Sequence, residues 1–110
     1  MRAMTINLET TRPTLTNRYG GLSGDALRSI AVARVYELYE SVKVPIIGCG
    51  GVSRWEDAVQ LMLAGASAVQ IGTAMYAGYG LFDEINHGIE QYMKRKKFHR
   101  VQEMVGLGHR

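Results

Sequence analysis

The chain has 110 residues, of which 46% are hydrophobic and 21% charged, with a net charge of +3. This composition is typical of one small globular domain, and the longest apolar runs fall short of the ~20 residues that a membrane span requires. The opening MRAMTINLETTRPT lacks a signal-peptide core, and a single cysteine cannot form an internal disulfide, so we expect a cytoplasmic protein without membrane attachment.

The first part of the chain carries two turn-rich segments. Residues 1–17 alternate loosely between polar and apolar positions and are interrupted by TTRP, which predicts an irregular β excursion. RYGGLSGD follows at residues 18–25. Its closely spaced glycines predict a loop that adopts unusual dihedrals or approaches another group closely.

A helix and a strand are predicted next. The apolar positions recur at helical spacing and form one face, made of Leu27, Ile30, Ala31, Val35, Leu38 and Val42. Pro45 ends this helix, because a residue before proline disfavours helical geometry. Val44, Ile46 and Ile47 then form a short run of β-branched residues, which favours a parallel strand buried on both faces.

A second helix and strand repeat this order. Ser53 and Glu56 match the S-x-x-E capping box, so the helix is predicted to begin at about Arg54. Gly65 fits a helix stop, and residues 68–71 form the next predicted strand.

The last part of the chain predicts a long helix that begins at Leu81 or Phe82, with a short terminal helix after it. The basic run KRKKFHR at 94–100 would suit a phosphate or nucleic-acid surface. No set of stacking aromatics accompanies it, so we interpret it as a solvated helix end and expect no nucleic-acid partner.

Alternating helices and strands with short links predict an α/β fold with a parallel sheet. A doubly wound sheet and a (β/α) barrel are the candidates. Both need more strands than this chain supplies, and an eight-stranded barrel typically needs ~250 residues. The chain is therefore interpreted as the last quarter to half of such a fold.

Glycines close both predicted parallel strands, as GCGG at 48–51 and as Gly72 before Thr73. Ligands of parallel α/β folds bind at the carboxyl ends of strands, where amides without a neighbouring Cβ can hold an anion. The pattern favours one phosphate site made by Gly50 and Gly72, with the Thr73 hydroxyl as a further donor. The alternative is that these glycines serve only tight turns.

The cysteine and the histidines give weaker evidence of a catalytic or metal site. Cys49 lies inside the glycine cluster and is interpreted as a small, inert apolar residue rather than a catalytic thiol. His87, His99 and His109 have no metal-ligand spacing, so no metal site is expected.

Taken together, the motifs GGLSG, PIIGCGG, WEDA and AGASAVQIGTA resemble the C-terminal part of class 1 dihydroorotate dehydrogenases, most closely the class 1B catalytic subunit. The resemblance implies that residues 1–110 are the C-terminal part of a single FMN-binding (β/α)8 barrel domain. The activity it implies is FMN-dependent oxidation of dihydroorotate to orotate in pyrimidine biosynthesis.

The resemblance also implies roles for particular residues. Gly24, the last residue of GGLSG, would lie against the flavin. Gly50, Gly51, Gly72 and Thr73 would bind the FMN phosphate. The family's general base, a cysteine, and its lysine and asparagines have no counterpart here, so the chain would hold no catalytic residue and be inactive alone. Asp25 stands where the family commonly has proline, which is expected to loosen the loop.

The implied partners are dihydroorotate or orotate, an electron-transfer subunit carrying FAD and an iron–sulfur cluster, and further copies of the chain. Two alternatives stay open. One is the FMN domain of a dihydropyrimidine dehydrogenase, which has a similar GG-x-SG loop. The other is a non-enzymatic, self-associating half-barrel that binds a phosphate compound, since an open sheet edge and an apolar face favour association.

Overall fold

A computed structural model describes residues 1–109. Its helices are α1 (Arg28–Ser41), α2 (Trp55–Ala64) and α3 (Leu81–Lys96). Its strands are β1 (Arg2–Ala3), β2 (Ile6–Asn7), β3 (Arg12–Pro13), β4 (Gly20–Gly21), β5 (Ile47–Cys49) and β6 (Ala68–Gln70). Within residues 1–109, no helix combines the length and apolar character needed to cross a bilayer.

Residues 1–21, here called the N-terminal arm, fold into two short antiparallel strand pairs. β1 pairs with β4, and β2 pairs with β3. The Asn7 side-chain oxygen accepts hydrogen bonds from the amides of Glu9 and Thr10 at 2.9 and 3.1 Å, which closes the turn between β2 and β3. The guanidinium of Arg2 lies 4.1 Å from the ring centre of Tyr19 across the first pair.

β5 and β6 form a parallel pair, joined by α2. The register runs from Ile47 opposite Ala68 to Cys49 opposite Gln70. The predicted strand–helix–strand unit and its parallel pairing are confirmed. Because the strands are parallel, both carboxyl ends lie at one edge of the sheet.

Within residues 1–109, the first of these strands is covered on one face and not on both as predicted. The strand begins at Ile47 rather than Val44, and these two side chains are 59% and 67% exposed. Gly48 is buried and faces α2, where an added Cβ would lie 3.2 Å from Leu61. Side chains alternate along a strand, so only the face toward α2 is covered by residues 1–109.

The core is centred on α2. α2 packs against α1 on one side and α3 on the other. Trp55 covers Gly88 of α3 so closely that an added Cβ there would lie 2.2 Å from its ring. The core consists of Ala31, Val35, Ile46, Val52, Ala58, Val59, Leu61, Met62, Ala64, Ala66, Ile85, Ile89 and Met104. Leu38 and Val42, predicted on the buried face of α1, are exposed, because this end of the helix packs through Tyr36 and Tyr39 on His109 instead.

The predicted capping box at the start of α2 was wrong. The carboxylate of Asp57, not Glu56, accepts hydrogen bonds from the amides of Ser53 and Arg54, each at 3.1 Å. The helix begins one residue later than predicted, at Trp55, so Asp57 occupies the position from which a carboxylate reaches back to the free amides.

The helix ends follow the predicted pattern more closely. Gly65 (φ 133°) stops α2, and its amide donates to the carbonyls of Leu61 and Met62. α3 begins at Leu81, and its last turn carries Lys94, Arg95 and Lys96, all exposed. The predicted terminal helix is instead two short 3-10 turns, Val101–Glu103 and Leu107–His109.

Candidate anion-binding site

A cavity of about 520 Å³ lies at the carboxyl ends of β5 and β6. The structure brings all the predicted site residues to it, namely Gly24, Gly50, Gly51, Gly72 and Thr73. The cavity is also lined by Leu22, Ser23, Asp25, Leu27, Cys49, Val52, Ser53, Gln70, Ala74, Ala77 and Leu81. Its size lies within the range of small-molecule and cofactor sites.

Gly50 and Gly51 are required by the backbone and by close packing on α1. Both have positive φ, at 133° and 71°. A Cβ on Gly50 would lie 2.9 Å from the Cβ of Ala31, and one on Gly51 would lie 2.6 Å from the backbone nitrogen of Arg28. Only glycine meets both conditions without strain.

Gly72 and Gly24 differ from that pair, because an added Cβ at either would meet no heavy atom within 4 Å. Both line the cavity, so a side chain here would project into free space. Gly24 also has a φ of 93°, whereas Gly72 has a negative φ of −112°. Gly72 can therefore carry a side chain that changes the cavity with little effect on its packing.

The amides at both strand ends are available to a ligand. Those of Gly50, Gly51, Gly72 and Thr73 donate to no acceptor among residues 1–109. By contrast, the amides of Ser53 and Arg54 donate to Asp57. Backbone amides need a partner, so the free set defines donors that a bound anion could satisfy.

Asp57 is the best-connected charged residue beside the cavity, and it is only 1% exposed. Its Oδ1 accepts a hydrogen bond from Arg28 Nη1 at 3.0 Å, and Arg28 lies in the first turn of α1. Burial raises the pKa of Asp57, but the Ser53 and Arg54 amides, the Arg28 charge and the Ser53 hydroxyl outweigh burial and hold the pKa below its usual value.

Ser53 connects the two loops that form the cavity. Its Oγ lies 2.9 Å from Asp25 Oδ1 and 3.2 Å from Asp57 Oδ2. Asp25 therefore ties the GGLSGD loop to the start of α2, and the expectation that it would loosen this loop was wrong. The aspartate supplies an acceptor, which the proline common at this position in the family would lack.

The other candidate residues lie outside any such arrangement. Cys49 is exposed and lines the cavity. His109 stacks on Tyr36 with ring centres 3.8 Å apart. Among residues 1–109, no three His, Cys, Asp or Glu side chains gather as metal ligands would.

Sequence reasoning missed the roles of Arg28, Ser53 and Asp57. The WEDA motif contains Asp57, but the S-x-x-E match drew attention to Glu56. A second signal was present, since an acidic residue in the third helical position commonly reaches back to cap the helix.

Parallel strands that end in free glycine amides over one cavity form the arrangement in which α/β proteins commonly hold anionic ligands. The particular family follows from comparison with known proteins. The dihydroorotate dehydrogenase family model matches residues 1–93, and the chain belongs to this family.

The similar curated proteins include subunits from archaea. The chain is 50% identical over 109 residues to the catalytic subunit of dihydroorotate dehydrogenase B (NAD(+)) of Methanosarcina acetivorans, covering 99% of this chain and 35% of the relative. The corresponding subunit of Pyrococcus furiosus is 46% identical over 108 residues, covering 97% of this chain and 36% of the relative. The chain thus spans about a third of the relatives' length.

A solved dihydroorotate dehydrogenase structure has a similar fold. Ligand-free DHODH from Eimeria tenella superposes with a TM-score of 0.78 at 31% identity, covering 98% of this chain and 31% of that protein. The mixed α/β architecture is therefore shared with dihydroorotate dehydrogenases.

Proposed function

We propose that this chain supplies the FMN-phosphate-binding part of a class 1B dihydroorotate dehydrogenase. The observation that carries the proposal is the meeting of Gly50, Gly51, Gly72 and Thr73 around one cavity, with four amides that have no acceptor within residues 1–109. The relatives, named as catalytic subunits of dihydroorotate dehydrogenase B, support the class.

The residues present fit a phosphate group. A phosphate offers several acceptor oxygens, and two strand ends offer donors from two directions. The open space beside Gly72 leaves room for an anion, whereas a side chain would fill it. The Thr73 hydroxyl would add a donor beside the Gly72 amide.

Gly24 would lie against the flavin. Gly24 lines the same cavity from the opposite loop, and an added Cβ there would meet no heavy atom within 4 Å. The hydride acceptance that oxidises dihydroorotate belongs to the flavin when it is bound. This chain's part is to hold the cofactor and to fix its orientation relative to the substrate.

The remaining parts of the enzyme are also proposals. The exposed face of β5, with Val44 and Ile47 uncovered, supports a larger (β/α)8 barrel whose other strands cover this face. The substrate pair is dihydroorotate and orotate, and the expected partner is an electron-transfer subunit with FAD and an iron–sulfur cluster. We find no residue here to assign as the catalytic base, so the chain alone is proposed to be inactive.

A second candidate function rests on that same exposed face. A non-enzymatic half-barrel that pairs with itself would bury Val44 and Ile47 against another copy. The dihydropyrimidine dehydrogenase alternative has no comparable support, since the similar proteins carry the dihydroorotate dehydrogenase name.

FMN binding by cavity variants tests the proposal. Gly72→Val places a side chain in the open space, and we expect it to weaken FMN binding at least ~10-fold, measured by quenching of flavin fluorescence. Gly21→Val is the matched control. An added Cβ at Gly21 also meets no heavy atom within 4 Å, but Gly21 lies in the N-terminal arm and does not line the cavity. Equal FMN affinity of both variants would contradict the proposal.

A further inference from the structure

The Asp57 carboxylate stands behind the glycine strand end and uses both of its oxygens. Oδ1 accepts from Arg28 Nη1 at 3.0 Å, and Oδ2 accepts from the amides of Ser53 and Arg54, each at 3.1 Å. We call Arg28, Ser53 and Asp57 the carboxylate clamp. At 1% exposure the Asp57 charge is shielded from water, so these bonds act with little solvent competition.

The clamp holds Gly51 from two sides. Along the chain, Ser53 lies two positions after Gly51, and its amide is fixed on Asp57. Across the fold, the backbone of Arg28 is the surface on which Gly51 packs, since an added Cβ would lie 2.6 Å from Arg28 N and 2.7 Å from Arg28 Cα. The same carboxylate thus fixes both the loop that carries Gly51 and the helix beneath it.

The clamp also decides which amides remain available. Asp57 takes the Ser53 and Arg54 donors just before α2. The amides left without an acceptor among residues 1–109 at this strand end are those of Gly50, Gly51 and Val52. The negative charge of Asp57 is paired with Arg28, which reduces the repulsion between Asp57 and an anion bound at the glycines.

The bridge to Asp25 extends this control to the other wall of the cavity. The Ser53 hydroxyl has one proton, and it lies closer to Asp25 Oδ1 (2.9 Å) than to Asp57 Oδ2 (3.2 Å). The hydroxyl lies within hydrogen-bond distance of both carboxylates and so joins the GGLSGD loop to the clamp. The spacing between the two walls therefore depends on a side chain already ordered by Asp57.

We propose that Asp57 is a positioning residue for the phosphate site, acting through Arg28 and Ser53, and that the carboxylate clamp gives the cavity its preference for phosphorylated over unphosphorylated flavin. This inference rests on the proposed function and deepens it. The hydrogen bonds of Asp57 itself reach only α1, through Arg28, and the segment that follows the phosphate-binding glycines, through Ser53 and Arg54, so the loss of its charge acts first on the phosphate contacts. In the proposed arrangement, the flavin ring would lie against Gly24 on the other wall of the cavity.

The test compares FMN with riboflavin, which lacks the phosphate, in binding titrations of the full chain. Asp57→Asn keeps the size of the side chain but removes the charge that pairs with Arg28. We expect FMN binding to weaken ~10-fold or more, and riboflavin binding to change by less than ~2-fold. If Asp57 served only the stability of the fold, its loss would weaken the binding of FMN and of riboflavin equally.

Two further variants keep the test decisive if Asp57→Asn does not fold. Ser53→Ala removes only the hydroxyl bridge, and Arg28→Lys replaces the planar donor with a point charge. Each is expected to lower the FMN-to-riboflavin affinity ratio. Glu37→Gln is the matched control, because it breaks the 2.9 Å Arg34–Glu37 pair on the exposed surface of α1.

The outcomes separate the two proposals. A wild-type chain that binds FMN no better than riboflavin overturns the proposed function, and this inference falls with it. A wild-type chain that prefers FMN, with folded clamp variants that keep the same preference, overturns the inference alone. A reduced preference in the clamp variants, with Glu37→Gln unchanged, supports it.

Discussion

Gly51 packs directly on the backbone of Arg28: a Cβ on Gly51 would lie 2.6 Å from the Arg28 nitrogen. The first turn of α1 and the end of β5 therefore approach one another at backbone contact distance. This contact places the GCGG strand end beside the GGLSGD loop, so two segments distant in the sequence form one cavity.

Gly51→Ala is expected to destabilise the fold and not only the site. The φ of 71° disfavours a side chain, and an added Cβ would overlap Arg28. We therefore expect the free energy of unfolding to fall by about 1–3 kcal/mol. Urea unfolding measures it. Gly21→Ala, which has free space and no positive φ, is the control and should change stability by less than ~1 kcal/mol. Equal stability of both variants would show that the Gly51 contact is not tight.

The lowered pKa of Asp57 predicts that the free energy of unfolding falls in acid. Its folded pKa is lowered, so its contribution to stability is full above the unfolded value of ~3.9 and is lost as the pH falls through the folded pKa. Asp57→Asn should cost on the order of 3 kcal/mol at neutral pH, because it leaves the Arg28 partner without its charge.

Urea unfolding across pH 7 to 3 measures this effect. The difference in unfolding free energy between wild type and Asp57→Asn should stay constant down to about pH 5 and shrink at the acid end. A difference that grows toward low pH would contradict the assignment. Glu37→Gln, on the exposed surface, is expected to change stability by less than ~1 kcal/mol throughout.

The chain is expected to show no turnover of dihydroorotate when supplied with FMN and an artificial electron acceptor. The reason is chemical, since oxidation needs a base to take the C5 proton and we assign none among these residues. Orotate absorbance measures the product. Measurable turnover by purified chain, abolished by Gly72→Val, would place a base within it and would contradict this part of the proposal.

The parts of the fold that follow from local chemistry were predictable from the sequence. The parallel pairing of β5 with β6 follows from two short apolar runs separated by one helix, and the convergence of Gly50 with Gly72 follows from that pairing. Gly65 stops α2 as predicted, because a glycine tolerates the positive φ required there.

The remaining features depended on contacts between distant residues. Arg28 and Asp57 lie 29 positions apart, and neither residue type predicts the other as its partner. The run from Val44 to Ile47 matched a strand buried on both faces, but burial depends on which elements cover it, and residues 1–109 cover one face. At position 25 the resemblance suggested a proline, so it did not predict that the Asp25 carboxylate would accept a hydrogen bond from the Ser53 hydroxyl.

A crystal structure of the chain with FMN would locate the phosphate group. We expect phosphate oxygens within ~2.7–3.2 Å of the amide nitrogens of Gly51 and Gly72, at the shared edge of β5 and β6. The basic run of Lys94 to Arg100 offers a competing anion surface far along the chain. Phosphate bound there, or anywhere outside the glycine cavity, would contradict the account.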